Sequence, residues 1–164
     1  MKQCAIIGQN SPKFSETDKS CADLKSALKS EIVRLIAEEG VTHFSTGMSV
    51  GAEMFAAEIV LDLKTVYESV TLECVIPFEA QAEKWSERLR DRYFGIIERC
   101  DKEVMMQKGY SLDCISKHGR QLVDGSDFVI LAGDNTDYLG KYAKQQGKTV
   151  LYIMAYKSNA TVLF

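Results

Sequence analysis

Strand-like and helix-like segments alternate along the whole chain, and this alternation limits the available folds more than any other feature. Short apolar runs at residues 2–7, 41–46, 71–76, 103–106, 128–131 and 149–154 have the length and composition of strands. Between them, apolar residues recur at helical spacing. Leu24, Leu28, Ile32, Leu35 and Ile36 form one stripe that Gly40 ends; Ala56, Ala57, Val60, Leu63 and Tyr67 form a second; Trp85, Leu89, Tyr93, Ile96 and Ile97 form a third. Ser111 is placed to cap a further helix running to about Val123, and another around 138–146 stops at Gly147.

Strands joined through helices wind a parallel sheet with helices on both faces. Right-handed crossovers then predict a three-layer α/β, Rossmann-like fold with a mostly parallel central sheet in the order 3-2-1-4-5-6. In that order strand 1 is central, between the strands that begin near Val41 and Glu103. Ligands of such sheets sit beyond the carboxyl ends of the strands where the winding reverses.

At 164 residues the chain is expected to form a single domain spanning 1–164. Its net charge of −3 creates no broad positive field, so nucleic acid is not the expected partner. No stretch approaches the roughly 20 apolar residues of a membrane span, and the first residues lead directly into a strand, which points to a cytoplasmic protein without a membrane partner. Cys4, Cys21, Cys74, Cys100 and Cys114 are odd in number and irregularly spaced, as expected of reduced structural thiols. With His43 and His118 the only histidines and no ligand spacing around either, no metal or cofactor is expected.

The loop after strand 1, Gly8-Gln9-Asn10-Ser11-Pro12, lacks the Gly-x-Gly-x-x-Gly fingerprint, which argues against an ordinary dinucleotide dehydrogenase. It reads either as a solvated loop or as a ligand edge, with Gly8 admitting close backbone approach and Gln9 and Asn10 offering neutral hydrogen bonds. Thr46-Gly47-Met48-Ser49-Val50-Gly51-Ala52-Glu53 sets two glycines and two hydroxyls between a strand and a helix N-terminus. Backbone N–H groups and the helix dipole there suit phosphate, although glycine equally suits a plain turn. Glu53, in the first helical turn, either stabilises that turn or bonds a ribose hydroxyl. After strand 3, Pro77-Phe78 offers a stacking ring, whereas Trp85 fits the apolar stripe of its helix and His118 a solvated helix face.

Together these residues resemble the YpsA-like proteins of the SLOG superfamily, Rossmann-like domains related to the DNA-processing protein DprA and to the LOG phosphoribohydrolases. The resemblance rests on Gly8, Thr46-Gly47-Met48 with Gly51, Ile76-Pro77-Phe78 with Gln81 and Trp85, and then Tyr110, Cys114, Arg120, Val123-Asp124 and Ser126-Asp127. It implies a pocket for a nucleotide or nucleotide-derived ligand, built from the loops after strands 1, 2 and 5. Two features depart from the pattern. Gly8-Gln9-Asn10 stands where relatives carry Gly-His-Arg or a similar basic pair, and the segment from Gly133 to Gly140 replaces a Gly-Gly-Thr turn. The glutamate-bearing motif of LOG enzymes is absent there as well.

The expected function is therefore binding of a nucleotide-like phosphate ligand as a sensor or regulatory module, through Gly8, Gln9, Asn10, Thr46, Gly47, Met48, Gly51, Glu53, Pro77 and Phe78. Two rivals stay open: hydrolysis of an N-glycosidic bond with Glu53 or Glu79 assisting water, and DprA-like binding of single-stranded DNA. Assembly into a homo-oligomer is also left open.

Overall fold

The computed structural model describes residues 1–8, 19–133 and 137–153. Six strands, β1 (Lys2–Gly8), β2 (Val41–Thr46), β3 (Thr71–Ile76), β4 (Lys102–Met105), β5 (Phe128–Ala132) and β6 (Thr149–Ile153), form one sheet in which every pairing is parallel. Helices α1 (Lys19–Arg34), α2 (Ala52–Leu63), α3 (Glu87–Arg99), α4 (Cys114–Asp124) and α5 (Asp137–Gln145) connect them. Helix α1 continues into a π-helical turn, Leu35–Glu39, that Gly40 closes in the left-handed conformation at φ 71°.

Period-2 alternation in the strands divides the core in two. Cys4, Ile6, Phe44, Leu72, Ile76 and Ile130 face helices α1, α2 and α3, where Leu28, Ile32, Val60 and Ile96 are buried against them. Ala5, Ile7, Val75, Val129 and Leu131 face the opposite side, covered by Leu122 and Val123 of α4 and Ala143 of α5. These two apolar layers make the three-layer α/β architecture expected from the alternation.

The strand order is β4-β3-β2-β1-β5-β6, which corrects one detail of the expected sheet. Strand β1 is central, but its second neighbour is β5, and β4 lies at the far edge beside β3. Burial explains the exchange. Every residue of Phe128–Ala132 is buried, as a central strand between two helical layers requires, while Lys102, Glu103 and Met105 of β4 are exposed. The winding reverses between β1 and β5, so the ligand crevice of such a sheet opens there, at the carboxyl ends of those two strands.

Candidate functional site

Strand β1 ends at Gly8, in register with Ala132 of β5. Helix α2 begins hard against this end, since a Cβ on Gly8 would lie 2.8 Å from the Cβ of Ala52. Such proximity lets Glu53 reach back across the crevice. Its Oε1 accepts the Gly8 N–H at 3.0 Å and its Oε2 accepts the Ser49 N–H at 2.8 Å. Glu53 is only 3% exposed, and two charge-assisted bonds of this kind offset the cost of burying a carboxylate. One backbone N–H of the turn before α2, that of Ser49, and the one at the end of β1, that of Gly8, are thus held by the protein's own carboxylate.

The turn itself is conformationally special. Gly51 precedes α2 at φ 107° and ψ −130°, a region essentially confined to glycine, and Met48 is fully buried with φ 64°. Thr46 is buried and directs Oγ1 to the Glu53 carbonyl at 3.5 Å. Ser49 ends with its Oγ buried and, among the described residues, without a hydrogen-bond partner.

The opposite wall is aromatic. Phe78, just past Pro77, meets Tyr110 edge to face at 5.5 Å between ring centroids, and Trp85 meets Tyr93 in the same way at 5.3 Å. Gln81 ties this wall to the turn by donating Nε2–H to the Gly47 carbonyl at 3.2 Å, while Tyr93 donates its hydroxyl to Gln81 Oε1 at 3.5 Å. Burial, reinforced by Glu103 and Cys74, pushes the Tyr93 phenol above its ordinary range and keeps it a donor. Helix α4 closes the site from the side: His118 is buried and donates Nε2–H to the Val75 carbonyl at 2.7 Å.

These groups enclose a cavity of about 460 Å³. Ile7 and Gly8 come from β1, Ser49 and Glu53 from the β2–α2 connection, Pro77, Phe78, Gln81 and Trp85 from the β3–α3 connection. Tyr110, Ile115, His118 and Gly119 come from the β4–α4 region, and Leu139 from α5. Its volume falls within the roughly 300–1,000 Å³ range of small-molecule pockets, and its lining is mainly apolar with a few polar groups. None of these lining residues is a lysine or arginine.

The family model described as the YspA SLOG family matches residues 10–159. The chain belongs to the YpsA SLOG family. A UPF0398 protein of Brevibacillus brevis is 41% identical over 123 residues, covering 74% of this chain and 65% of that protein, so the chain spans slightly less than two thirds of that relative. UPF0398 protein YpsA of Bacillus subtilis is 27% identical over 139 residues, covering 82% of this chain and 77% of its own. Among solved structures, DNA processing protein A of Helicobacter pylori, described for its single-stranded DNA binding mode, superposes with a TM-score of 0.59 at 14% identity. That superposition covers 98% of this chain and 68% of the other, and shows a shared fold.

Of the site residues expected from the sequence, this YpsA SLOG chain places Gly8, Glu53, Pro77 and Phe78 on the cavity wall. Thr46, Gly47, Met48 and Gly51 build the turn behind the wall, and Gln9 and Asn10 lie outside the described residues. Two readings are corrected. Trp85 precedes α3 rather than joining its stripe, because Ser86 caps that helix by accepting the Leu89 N–H, and the freed indole lines the cavity. His118 is buried rather than solvated; Cys114, His118 and Leu122 are spaced i, i+4, i+8, so the imidazole shares the apolar stripe of α4. Ser49, Gln81 and Tyr110 also line the cavity. Among the described residues, no group of three or more His, Cys, Asp or Glu is arranged to hold a metal ion, and no helix is long and apolar enough to cross a membrane.

Proposed function

We propose that this cavity binds a nucleotide or nucleotide-derived phosphate ligand as a sensor or regulatory site, with the base and sugar inward and the phosphate outward. The observation carrying this reading is the pairing of an aromatic wall, Phe78, Tyr110 and Trp85, with the buried Glu53 carboxylate across a cavity at the point where the winding reverses. The aromatic rings suit a planar base. A phosphate placed about 4 Å from Glu53 would be repelled by about 4 kcal/mol at an effective dielectric near 20, more than the 1.5–3 kcal/mol of one charge-assisted contact. The phosphate therefore belongs away from Glu53.

Hydrolysis of an N-glycosidic bond is the rival reading. Its candidate Glu79 is exposed and does not line the cavity, so that reading rests on Glu53, whose two oxygens already accept backbone N–H groups. Single-stranded DNA binding, as in the H. pylori protein, is less well served by a net charge of −3 and by a cavity with no lysine or arginine among its described lining residues.

One experiment separates the three. The purified protein is titrated calorimetrically with the ribonucleoside monophosphates, their nucleosides and a short oligodeoxynucleotide, and each mixture is then analysed by mass spectrometry. Saturable binding of an intact mononucleotide or nucleoside is expected. Released base would replace this reading with the hydrolase, and binding of the oligonucleotide alone would replace it with a DNA-binding role.

A further inference from the structure

Glu53, Ser49 and His118 all line the cavity, and Glu53 and His118 converge on Gly47, where an added Cβ would lie 2.9 Å from Glu53 Oε2 and 2.1 Å from His118 Cε1. The His118 ring is fixed from two directions. Its Nε2 lies 2.7 Å from the Val75 carbonyl, and a carbonyl can only accept, so Nε2 carries the proton. Its Nε2–Cε1 edge is packed against Gly47, where a Cβ would lie 2.6 Å from Nε2 and 2.1 Å from Cε1. In the neutral ring that tautomer leaves Nδ1 as an acceptor, and among the described residues the ring's hydrogen bond is the one made by Nε2.

We infer that His118 is a specificity-determining residue of this cavity, whose Nδ1 accepts a hydrogen bond from a hydroxyl or amino group of the ligand. The inference rests on the nucleotide reading above and narrows it. The carboxylate of Glu53 also accepts. Acceptors of this kind select a neutral, donor-bearing part of the ligand, a sugar hydroxyl or an exocyclic amine. They reject a phosphate or carboxylate, which brings only acceptors and negative charge. A ligand that covers Nδ1 without offering a donor strips it of water and leaves it unpaired, which is the source of the discrimination.

The test has two arms. Long-range proton–nitrogen NMR of the ligand-free, isotope-labelled protein reads the His118 tautomer directly, and the expected result is a protonated Nε2 with a bare Nδ1. In the second arm, adenosine, guanosine, cytidine, uridine and inorganic phosphate are titrated into the wild type and into His118→Gln. The glutamine amide can still donate to the Val75 carbonyl but offers no acceptor at the Nδ1 position. The best-bound nucleoside should weaken by about tenfold or more in His118→Gln, the usual consequence of losing one buried hydrogen bond, and phosphate should not compete with it. A protonated Nδ1, unchanged nucleoside affinity in a His118→Gln protein that melts cooperatively, or displacement of the nucleoside by phosphate would overturn the role given to His118. Failure of every nucleoside to bind the wild type would instead overturn the nucleotide reading itself. If His118→Gln does not fold, the tautomer and the phosphate competition still decide the matter on the wild type.

Discussion

Gly47 and His118, 71 positions apart, are packed so closely that a methyl group on Gly47 would lie 2.1 Å from the imidazole Cε1. No side chain at position 47 is compatible with the ring where it stands. Gly47→Ala is therefore expected to push His118 off the Val75 carbonyl, costing about 1–3 kcal/mol from overpacking and the lost bond. Thermal denaturation measures the loss. Loss of the His118 imidazole signals characteristic of the hydrogen-bonded Nε2 would identify its cause.

Gly8→Ala makes a parallel test at the other end of the crevice. The new Cβ would meet the Ala52 Cβ at 2.8 Å, and neither atom belongs to a flexible side chain that could swing aside. Strand β1 and helix α2 must separate, which lengthens the Gly8 N–H to Glu53 bond. A destabilisation of about 1–3 kcal/mol is expected, together with faster amide exchange at Gly8. Unchanged exchange at that amide would contradict the arrangement.

Removing the Glu53 carboxylate separates its role in the fold from its role at the cavity. Glu53→Ala leaves the N–H groups of Gly8 and Ser49 without their acceptor and is expected to cost about 1–3 kcal/mol of stability in the absence of any ligand. It should at the same time relieve the repulsion of anions, so that inorganic phosphate binds better to Glu53→Ala than to the wild type. Calorimetric titration with phosphate checks the second effect, and denaturant unfolding the first.

Glu73 carries a pH dependence of predictable sign. Burial raises its pKa, but hydrogen bonds from His43 at 2.7 Å and Lys102 at 3.0 Å outweigh burial and hold the carboxyl below its ordinary range. A depressed folded-state value means that stability is fully present above the unfolded value of about 4.3 and is lost as the pH falls through the folded one. Wild type is expected to melt higher than Glu73→Gln at pH 7, with the difference shrinking once the pH drops below about 4. A difference that is constant from pH 7 to pH 3 would show that the pair contributes nothing.

The thiols should divide by accessibility. Burial is the main cause that pushes Cys4 and Cys74 far above the ordinary thiol range, and Cys21 and Cys114 are buried as well, while Cys100 is partly exposed. Under native conditions iodoacetamide is expected to modify Cys100 first, and the others only as fast as the protein unfolds. Mass spectrometry of timed samples gives the order.

How much of this was legible beforehand follows from the range of each interaction. The sequence by itself determined the six strands, the helical stripes, the parallel three-layer sheet and the glycine-bearing turn from Gly47 to Gly51, because periodicity and backbone freedom are local properties. It also held the signal for β4, whose Lys102 and Glu103 suit an edge and not the centre, and for His118, which falls on the buried stripe of α4. Only the tertiary structure decided that β5 lies beside β1, that Trp85 faces the cavity, and that Glu53 bonds Gly8, 45 positions away. A turn shows that backbone N–H groups will be exposed at a helix start, but it does not show what will occupy them. That choice is made when distant strand ends converge in a space too dry to leave a carboxylate or an N–H group unpaired.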